Sequence, residues 1–131
     1  MLNKREILVS YVQTAPSVTA DGFLFINPAG SGEYYQVVEA VAIFDVAGGV
    51  DCQADLKIVA NGAQVSAGTS CLGSVFDLAA GARSAVKKAL ADARVIAPGR
   101  SLGVDFGGDT TNLAGLVIQV VLKPIRGSRR Y

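Results

Sequence analysis

The chain has 131 residues, of which half are hydrophobic, 18% are charged and 15 are glycine. This length suits one domain over residues 1–131 with a single core, and the composition argues against disorder. The formal net charge of +1 creates no overall electrostatic field that would attract nucleic acid. The sequence contains no histidine, so it lacks the usual general base and the commonest metal ligand. We therefore predict a protein that is not an enzyme, has no cofactor or metal, and does not have nucleic acid as its partner.

The apolar content also predicts association with other chains, because monomers of this size rarely expose large apolar patches. We expect a homo-oligomer. The apolar run Ile7-Leu8-Val9 is too short for the hydrophobic region of a signal peptide, and no segment approaches the roughly 20 apolar residues of a membrane helix. The sequence thus predicts synthesis in the cytoplasm and no membrane partner.

Three strands are predicted in the first part of the chain. Residues 6–13 alternate, with Ile7, Val9 and Tyr11 on one face. Residues 23–26 form a short apolar run that a Pro- and Gly-rich loop closes. Residues 34–46 are apolar at nearly every position, which is typical of a strand buried on both sides, in the centre of a sheet or at an interface.

Asn61-Gly62 is a preferred pair for a two-residue type I′ turn, which predicts a β-hairpin around it. In that register Ile58 faces Val65, and Cys52 faces Cys71 at a separation that a disulfide could span. Cys52 and Cys71 are therefore either a cross-strand disulfide or a pair of buried free thiols. A cytoplasmic origin favours the free thiols.

Residues 79–94 are rich in Ala, Leu, Lys and Arg, and their apolar positions recur at helical spacing. Local propensity favours a helix of three or four turns over this range. The competing interpretation is a strand near residues 85–90, formed because a sheet overrides that propensity.

The last part of the chain contains two further predicted strands. Leu102, Val104 and Phe106 alternate, residues 107–112 form a polar loop, and residues 113–122 form a strongly apolar final strand. A basic tail at 123–131 follows, either docking onto a partner or acting as a solubilising terminus. Its candidate contact residues are Lys123, Arg126, Arg129, Arg130 and Tyr131.

The complete pattern predicts a mainly β protein, an antiparallel sandwich or jelly roll of about seven or eight strands with one helix near 79–94. Candidate chemistry is weak. Residues 105–111 carry oxygen ligands close together but lack the ordered spacing of a calcium loop, so we interpret them as a hairpin loop. The scattered aspartates are typical of turns, and no glycine cluster matches a phosphate-binding loop.

Residues 95–106 and 113–124 carry a family resemblance. A turn at Pro98-Gly99, a short strand, a Gly-rich loop and a long apolar final strand resemble the C-terminal strands of small jelly-roll decoration or cement proteins of tailed bacteriophages. The resemblance implies a virion protein on the outer capsid surface, often a trimer, that binds the major capsid protein and stabilises the lattice. No single-residue site transfers with it.

The alternative function is a carbohydrate- or receptor-binding β module of a phage tail or fibre. Such a module would have exposed aromatic side chains in a shallow site. The absence of tryptophan weakens this interpretation.

Overall fold

The computed structural model describes residues 5–125. Within this range lie ten strands and one short 3-10 helix at Val65–Ala67. The strands are β1 (Ile7–Val12), β2 (Gly22–Ile26), β3 (Tyr34–Ile43), β4 (Gln53–Ala60), β5 (Thr69–Ser70), β6 (Phe76–Asp77), β7 (Val86–Lys87), β8 (Val95–Ile96), β9 (Arg100–Gly107) and β10 (Val117–Ile125).

The strands form two antiparallel sheets packed face to face, which confirms the predicted β-sandwich. Sheet I has the order β1-β10-β3, and the short strands β7 and β8 both pair with the far side of β3. Sheet II has the order β2-β9-β4, and β5 and β6 both pair with the far side of β4. The strand predicted at 34–46 is thus central in its sheet, although it ends at Ile43. The expected burial on both sides is wrong, since Ile43 is exposed on the outer face of the sheet.

Alternation along each long strand determines which side chains enter the core. In β10, Ile118, Val120 and Leu122 are fully buried, and the residues between them point to the outside of sheet I. Two aromatic pairs connect the sheets: the ring centroids of Tyr11 and Phe106 are 5.4 Å apart, and those of Phe25 and Tyr35 are 5.1 Å apart. One hydrophobic core lies between the two sheets.

One side of the sandwich is closed by backbone hydrogen bonds between the two sheets. β5 and β6 are two pieces of one interrupted edge of sheet II, and β7 and β8 are the equivalent pieces in sheet I. Where both edges are interrupted, Leu72 and Leu90 form an isolated antiparallel bridge. The two bonds beside it join Gly73 to Ala89 and Ala91 to Cys71.

The helix predicted at 79–94 is wrong, since the described residues contain no α-helix. The competing strand is present but short, at β7. The segment instead supplies backbone partners to β3 and the residues just beyond it. The Arg83 N–H donates to Phe44, the Lys88 N–H donates to Ala40, and the Val37 N–H donates to the Arg94 carbonyl. These long-range hydrogen bonds outweigh the local preference for a helix, which is only about 0.5 kcal/mol per residue.

The predicted hairpin register is also wrong. The turn at Asn61-Gly62 forms, with the Ala63 N–H donating to Ala60 at 3.1 Å, but of this pair only Gly62 has a positive φ. That is the pattern of a type II turn and not of type I′. The chain then makes the 3-10 helix before it pairs again, so Ile58 faces Thr69 instead of Val65.

The final strand begins later than predicted, at Val117 rather than at residue 113. Leu113 and Leu116 are nevertheless fully buried, because the buried Gln13 side chain holds the turn that contains them. Its Nε2 donates to the Leu113 carbonyl at 2.8 Å, and its Oε1 accepts from the Leu116 N–H at 3.2 Å. The apolar residues of this turn are buried like those of a strand, and for this reason the sequence pattern predicted a strand that starts too early.

Candidate interaction surfaces

The candidate metal ligands do not converge within the described part of the chain. No group of three or more Cys, Asp or Glu side chains within residues 5–125 could hold a metal ion. In the loop at 105–111, the Asp109 carboxylate accepts the Thr111 N–H at 3.0 Å. Hydrogen bonds from Thr111 lower the pKa of Asp109. This carboxylate therefore orders its own loop. The hairpin-loop interpretation is wrong in one respect, because the loop leads from β9 in sheet II to β10 in sheet I and does not join paired strands.

Both cysteines are buried free thiols. They do not face each other, because the shift in register separates them along β4. The Leu78 N–H donates to the carbonyl of Cys52, and the Cys71 N–H donates to the carbonyl of Leu56. Burial raises the pKa of the Cys71 thiol to about 12 and also raises the pKa of Cys52. Raised thiol pKa values suppress the reactive thiolate.

Only one predicted residue of the basic tail lies in the described range. Lys123 is exposed on β10, where it pairs with Gln36 of β3. Arg126, Arg129, Arg130 and Tyr131 lie outside the described residues. Within residues 5–125 no helix is long and apolar enough to cross a membrane.

The outer surface of sheet I carries a contiguous set of apolar side chains, which we call the apolar face. One cross-strand row consists of Val12, Val117 and Ile43 on β1, β10 and β3. Leu8 and Val121 pair in a second row. The apolar face comprises Leu8, Val12, Val41, Ile43, Val117 and Val121.

The members of this face differ in their exposure to solvent. Val12 is 58% exposed, Leu8 46% and Ile43 38%, and the other three members are half-buried by their neighbours. Ser10 and Gln119 lie in its middle, and the Lys87 Nζ approaches a Glu39 carboxylate oxygen to 3.9 Å at its β7 side. The face is therefore apolar along most of its area and polar at the Ser10–Gln119 pair, and an exposed apolar surface of this kind is a candidate protein–protein contact surface.

The outer surface of sheet II differs because the chain itself covers part of it. Residues 61–68 fold back over the strands, so that Val59 and Val65 are buried although they lie on this outer side. A β-carbon at Gly103 would lie 3.0 Å from the Val65 methyl groups. Beyond this cover, Lys57 Nζ and Asp105 Oδ2 form an ion pair of 2.8 Å.

Phe23 of β2 stands beside this covered region and is 55% exposed. Two shallow grooves of about 430 Å³ and 410 Å³ border its ring. Ile26, Asn61 and Ser101 line the first groove, and Asp21 and Gln64 contribute to the second. Phe23 is thus an exposed aromatic residue in a shallow site, as the binding-module alternative predicts.

The comparisons with known proteins add no neighbour. No protein-family model matches the chain, and neither a curated protein nor a solved structure resembles it significantly. Sequence reasoning did not single out the apolar face. Its signal was present in β1, where Leu8 and Val12 lie on the face opposite to Ile7, Val9 and Tyr11, so that both sides of a surface strand are apolar.

Proposed function

We propose that this chain is a virion structural protein, a decoration or cement protein that binds the outer surface of a tailed-phage head and stabilises the capsid lattice. The observation that carries the proposal is the apolar face: a partly exposed hydrophobic surface on the outside of a sheet offers a contact for another protein. Its side chains provide area and shape but no nucleophile or general base. The function is binding to the major capsid protein, without catalysis.

The strand order supports the resemblance to jelly-roll decoration proteins. If β5 with β6 and β7 with β8 are each counted as one interrupted strand, the chain has eight strands. Sheet I then has the order first-eighth-third-sixth, and sheet II has the order second-seventh-fourth-fifth. This order supports a two-sheet jelly roll, the architecture found in many capsid domains. The fold we propose is therefore a jelly roll.

The size of the apolar face suits a weak contact repeated many times. Three strands spaced about 4.8 Å apart and a few residues in length cover only a few hundred Å², less than the roughly 800 Å² that each partner contributes to a stable interface. A single copy would bind weakly. A homo-oligomer, with a trimer favoured by the family resemblance, would engage several capsid subunits together and gain affinity through effective concentration.

Co-sedimentation with capsids tests the proposal. Purified chain is mixed with heads of the phage whose genome encodes it, and bound copies are counted per capsid subunit and located by cryo-electron microscopy. We expect a copy number comparable with that of the capsid subunits, external density, and heads that release DNA at lower temperature when the chain is removed. A monodisperse monomer with no affinity for these heads overturns the proposal.

A matched pair of variants assigns the binding surface. Ile43→Lys places a charge on the apolar face, whereas Gln64→Lys adds the same charge on the sheet II side, where Gln64 is exposed and its side chain does not cap the 3-10 helix. Burying the unpaired charge of the new lysine at an interface costs about 3 kcal/mol. We therefore expect Ile43→Lys to lower capsid occupancy at least tenfold and Gln64→Lys to leave it unchanged.

Phe23 supports the second candidate, a carbohydrate- or receptor-binding module. An aromatic ring bordered by amide, hydroxyl and carboxylate side chains can stack on a sugar while those groups accept and donate hydrogen bonds. Screening against a glycan array tests it. Binding that Phe23→Ala abolishes and Ile43→Lys preserves would favour this function over capsid binding.

A further inference from the structure

β1 is a continuous edge strand of sheet I. It pairs with β10 on one side only, and its other side has no strand neighbour within the described residues. From Ile7 to Val12 it contains no charged residue, proline or glycine, and its pairing with β10 runs without a bulge. Native proteins protect exposed edges with just these devices, so an edge that lacks them is suited to pairing with another strand.

The alternating direction of the backbone groups along β1 identifies which of them point away from β10. The Gln13 N–H donates to the Leu116 carbonyl across the β1–β10 pair. Because backbone groups alternate in direction along a strand, Tyr11 also points toward β10. Leu8, Ser10 and Val12 consequently point their N–H and C=O groups outward. None of these three N–H groups donates to the backbone of a described loop.

The other edges of the sandwich are not open in this way. β2 contains a register irregularity between Phe23 and Phe25. The edges formed by β5 with β6 and by β7 with β8 are each interrupted, and they are joined to one another at Leu72 and Leu90. Among the described strands, β1 therefore offers the longest regular free edge.

We propose that two copies of this chain pair antiparallel along β1, with Ser10 facing Ser10 of the second copy on a two-fold axis. In this register Leu8 of each copy faces Val12 of the other, so that the outward groups of all three residues find partners. An antiparallel arrangement forms two bonds at each such pair, or about six in total. The two sheets I become one continuous sheet.

A second copy fits this edge because the edge is complementary to itself. The cross-strand pairs Leu8–Val12 are apolar on both sides of the axis, and they join the apolar faces of the two copies into one surface that extends across both sheets. An isologous contact closes on itself and leaves β1 with no further free edge. This inference does not depend on the proposed function, but in a lattice of trimers the contact would link one trimer to the next.

Charge substitutions test the pairing. Ser10→Lys places two ammonium groups face to face on the two-fold axis, whereas Gln119→Lys adds the same charge on the adjacent strand, since Gln119 pairs with Ser10 on the same outer surface. In sedimentation equilibrium, we expect the wild-type mass to double with rising concentration. Ser10→Lys should weaken this association at least tenfold, and Gln119→Lys should weaken it at most threefold.

Two outcomes overturn the inference. One is a wild-type mass that does not double at any concentration; the other is an equal loss in both variants, which would place the contact on the apolar face and not on the edge. Circular dichroism confirms that each variant is folded. Because this experiment contains no capsid, its failure is distinct from a failure of capsid binding.

Amide hydrogen exchange provides an independent measurement on the wild-type chain. Raising the concentration should slow exchange at Leu8, Ser10 and Val12, whose N–H groups point outward, and should leave Val9 and Tyr11 unchanged. Ser10→Cys should also form a disulfide-linked dimer on mild oxidation, since paired residues at such a position have Cα atoms about 5.5 Å apart. Unchanged exchange at Ser10 together with no cross-link contradicts the pairing.

Discussion

Gly73 and Ala89 lie in the edges of opposite sheets, and the Gly73 N–H donates to the Ala89 carbonyl at 2.7 Å. The Ala91 N–H donates to the Cys71 carbonyl at 2.9 Å in the same place. These bonds connect the two layers directly, although neither Gly73 nor Ala91 belongs to a strand. Breaking both bonds requires these two edges to separate.

We therefore predict that the Gly73 and Ala91 amides exchange with solvent as slowly as amides of the long strands, through global unfolding. Native-state hydrogen exchange measured by NMR checks this. Gly62, in an exposed turn, serves as the fast reference. Exchange at Gly73 as fast as at Gly62 would show that the two edges separate independently of global unfolding.

This contact between the layers also explains why the helix prediction failed. The preference of residues 79–94 for a helix is local, whereas the bonds that Arg83, Lys88 and Ala91 donate go to residues at least 20 positions away. No single-sequence pattern contains such partners. The alternation in residues 6–13 and 102–106, by contrast, results from one face meeting the core, and there the sequence pattern was sufficient to predict strands β1 and β9.

A second structural prediction concerns Asn27, which is fully buried. Its Nδ2 donates to the carbonyls of Glu33 and Ile96, each at 2.9 Å, and its Oδ1 accepts from the Ser31 hydroxyl at 2.6 Å. Asn27→Ala removes all three of these hydrogen bonds from a buried position, so we expect it to lower the free energy of unfolding by about 2–3 kcal/mol. Urea denaturation measures this loss.

Asn61→Ala is the matched control for Asn27, because Asn61 lies exposed in a turn and its side chain makes no hydrogen bond to the described residues. Its effect should stay within about 0.5 kcal/mol. An equal loss in both variants would show that the Asn27 network does not stabilise the fold.

Alanine substitutions at three glycines distinguish the cost of backbone strain from the cost of steric overlap. Gly108 has a φ of 72°, and a β-carbon there would overlap the Asp51 carbonyl, whereas Gly62 has a φ of 87° with open space around it, and Gly30 has neither constraint. We expect alanine to lower the free energy of unfolding by at least about 3 kcal/mol at Gly108, about 1 kcal/mol at Gly62, and less than about 0.5 kcal/mol at Gly30. Thermal and urea unfolding of the three variants check this order.

The surfaces were less predictable than the fold. Phe23 and the apolar face consist of residue types that also fill cores, so only their position in the packed sandwich distinguishes contact surface from interior. Val59 and Val12 illustrate this, since both are valines in strands of alternating pattern. The loop at 61–68 buries Val59, whereas nothing in the described chain covers Val12.

Asp21 provides a test of acid-dependent stability. Burial, with the nearby Asp105 carboxylate as a further cause, raises the pKa of Asp21. Because the folded state then binds the proton more tightly than the unfolded state, this stabilisation is present at low pH and is lost as pH rises through the folded pKa. Asp21→Asn removes the charge and keeps an acceptor for the Phe106 N–H, which Asp21 binds at 2.9 Å.

We expect Asp21→Asn to be more stable than the wild type at pH 7 and to lose this advantage at pH 3. Urea denaturation at both values measures the difference. Asp92→Asn removes the same charge from an exposed position and should differ from the wild type by less than about 0.5 kcal/mol at either pH. A lower stability of Asp21→Asn at pH 7 would contradict the assignment.

Cys71 makes stability depend on pH in the alkaline range. Burial raises the pKa of its thiol to about 12, whereas a cysteine in the unfolded chain has a pKa of about 8.5. The folded state retains the proton longer, so the stabilisation is complete below about pH 8.5 and falls by up to about 1.4 kcal/mol per pH unit between the two pKa values.

Replacing Cys71 by Ala should therefore flatten the loss of stability between pH 9 and pH 11, although the small cavity lowers stability at every pH. Val120→Ala, which creates a cavity at another fully buried position without removing a titrating group, should keep the wild-type slope. Urea denaturation across this range measures both slopes. The same protonated thiol should resist alkylation in the folded chain at pH 8 and react once urea unfolds it. A wild-type slope in Cys71→Ala, or rapid labelling of folded Cys71, would show that the thiol is accessible and that its burial does not govern its titration.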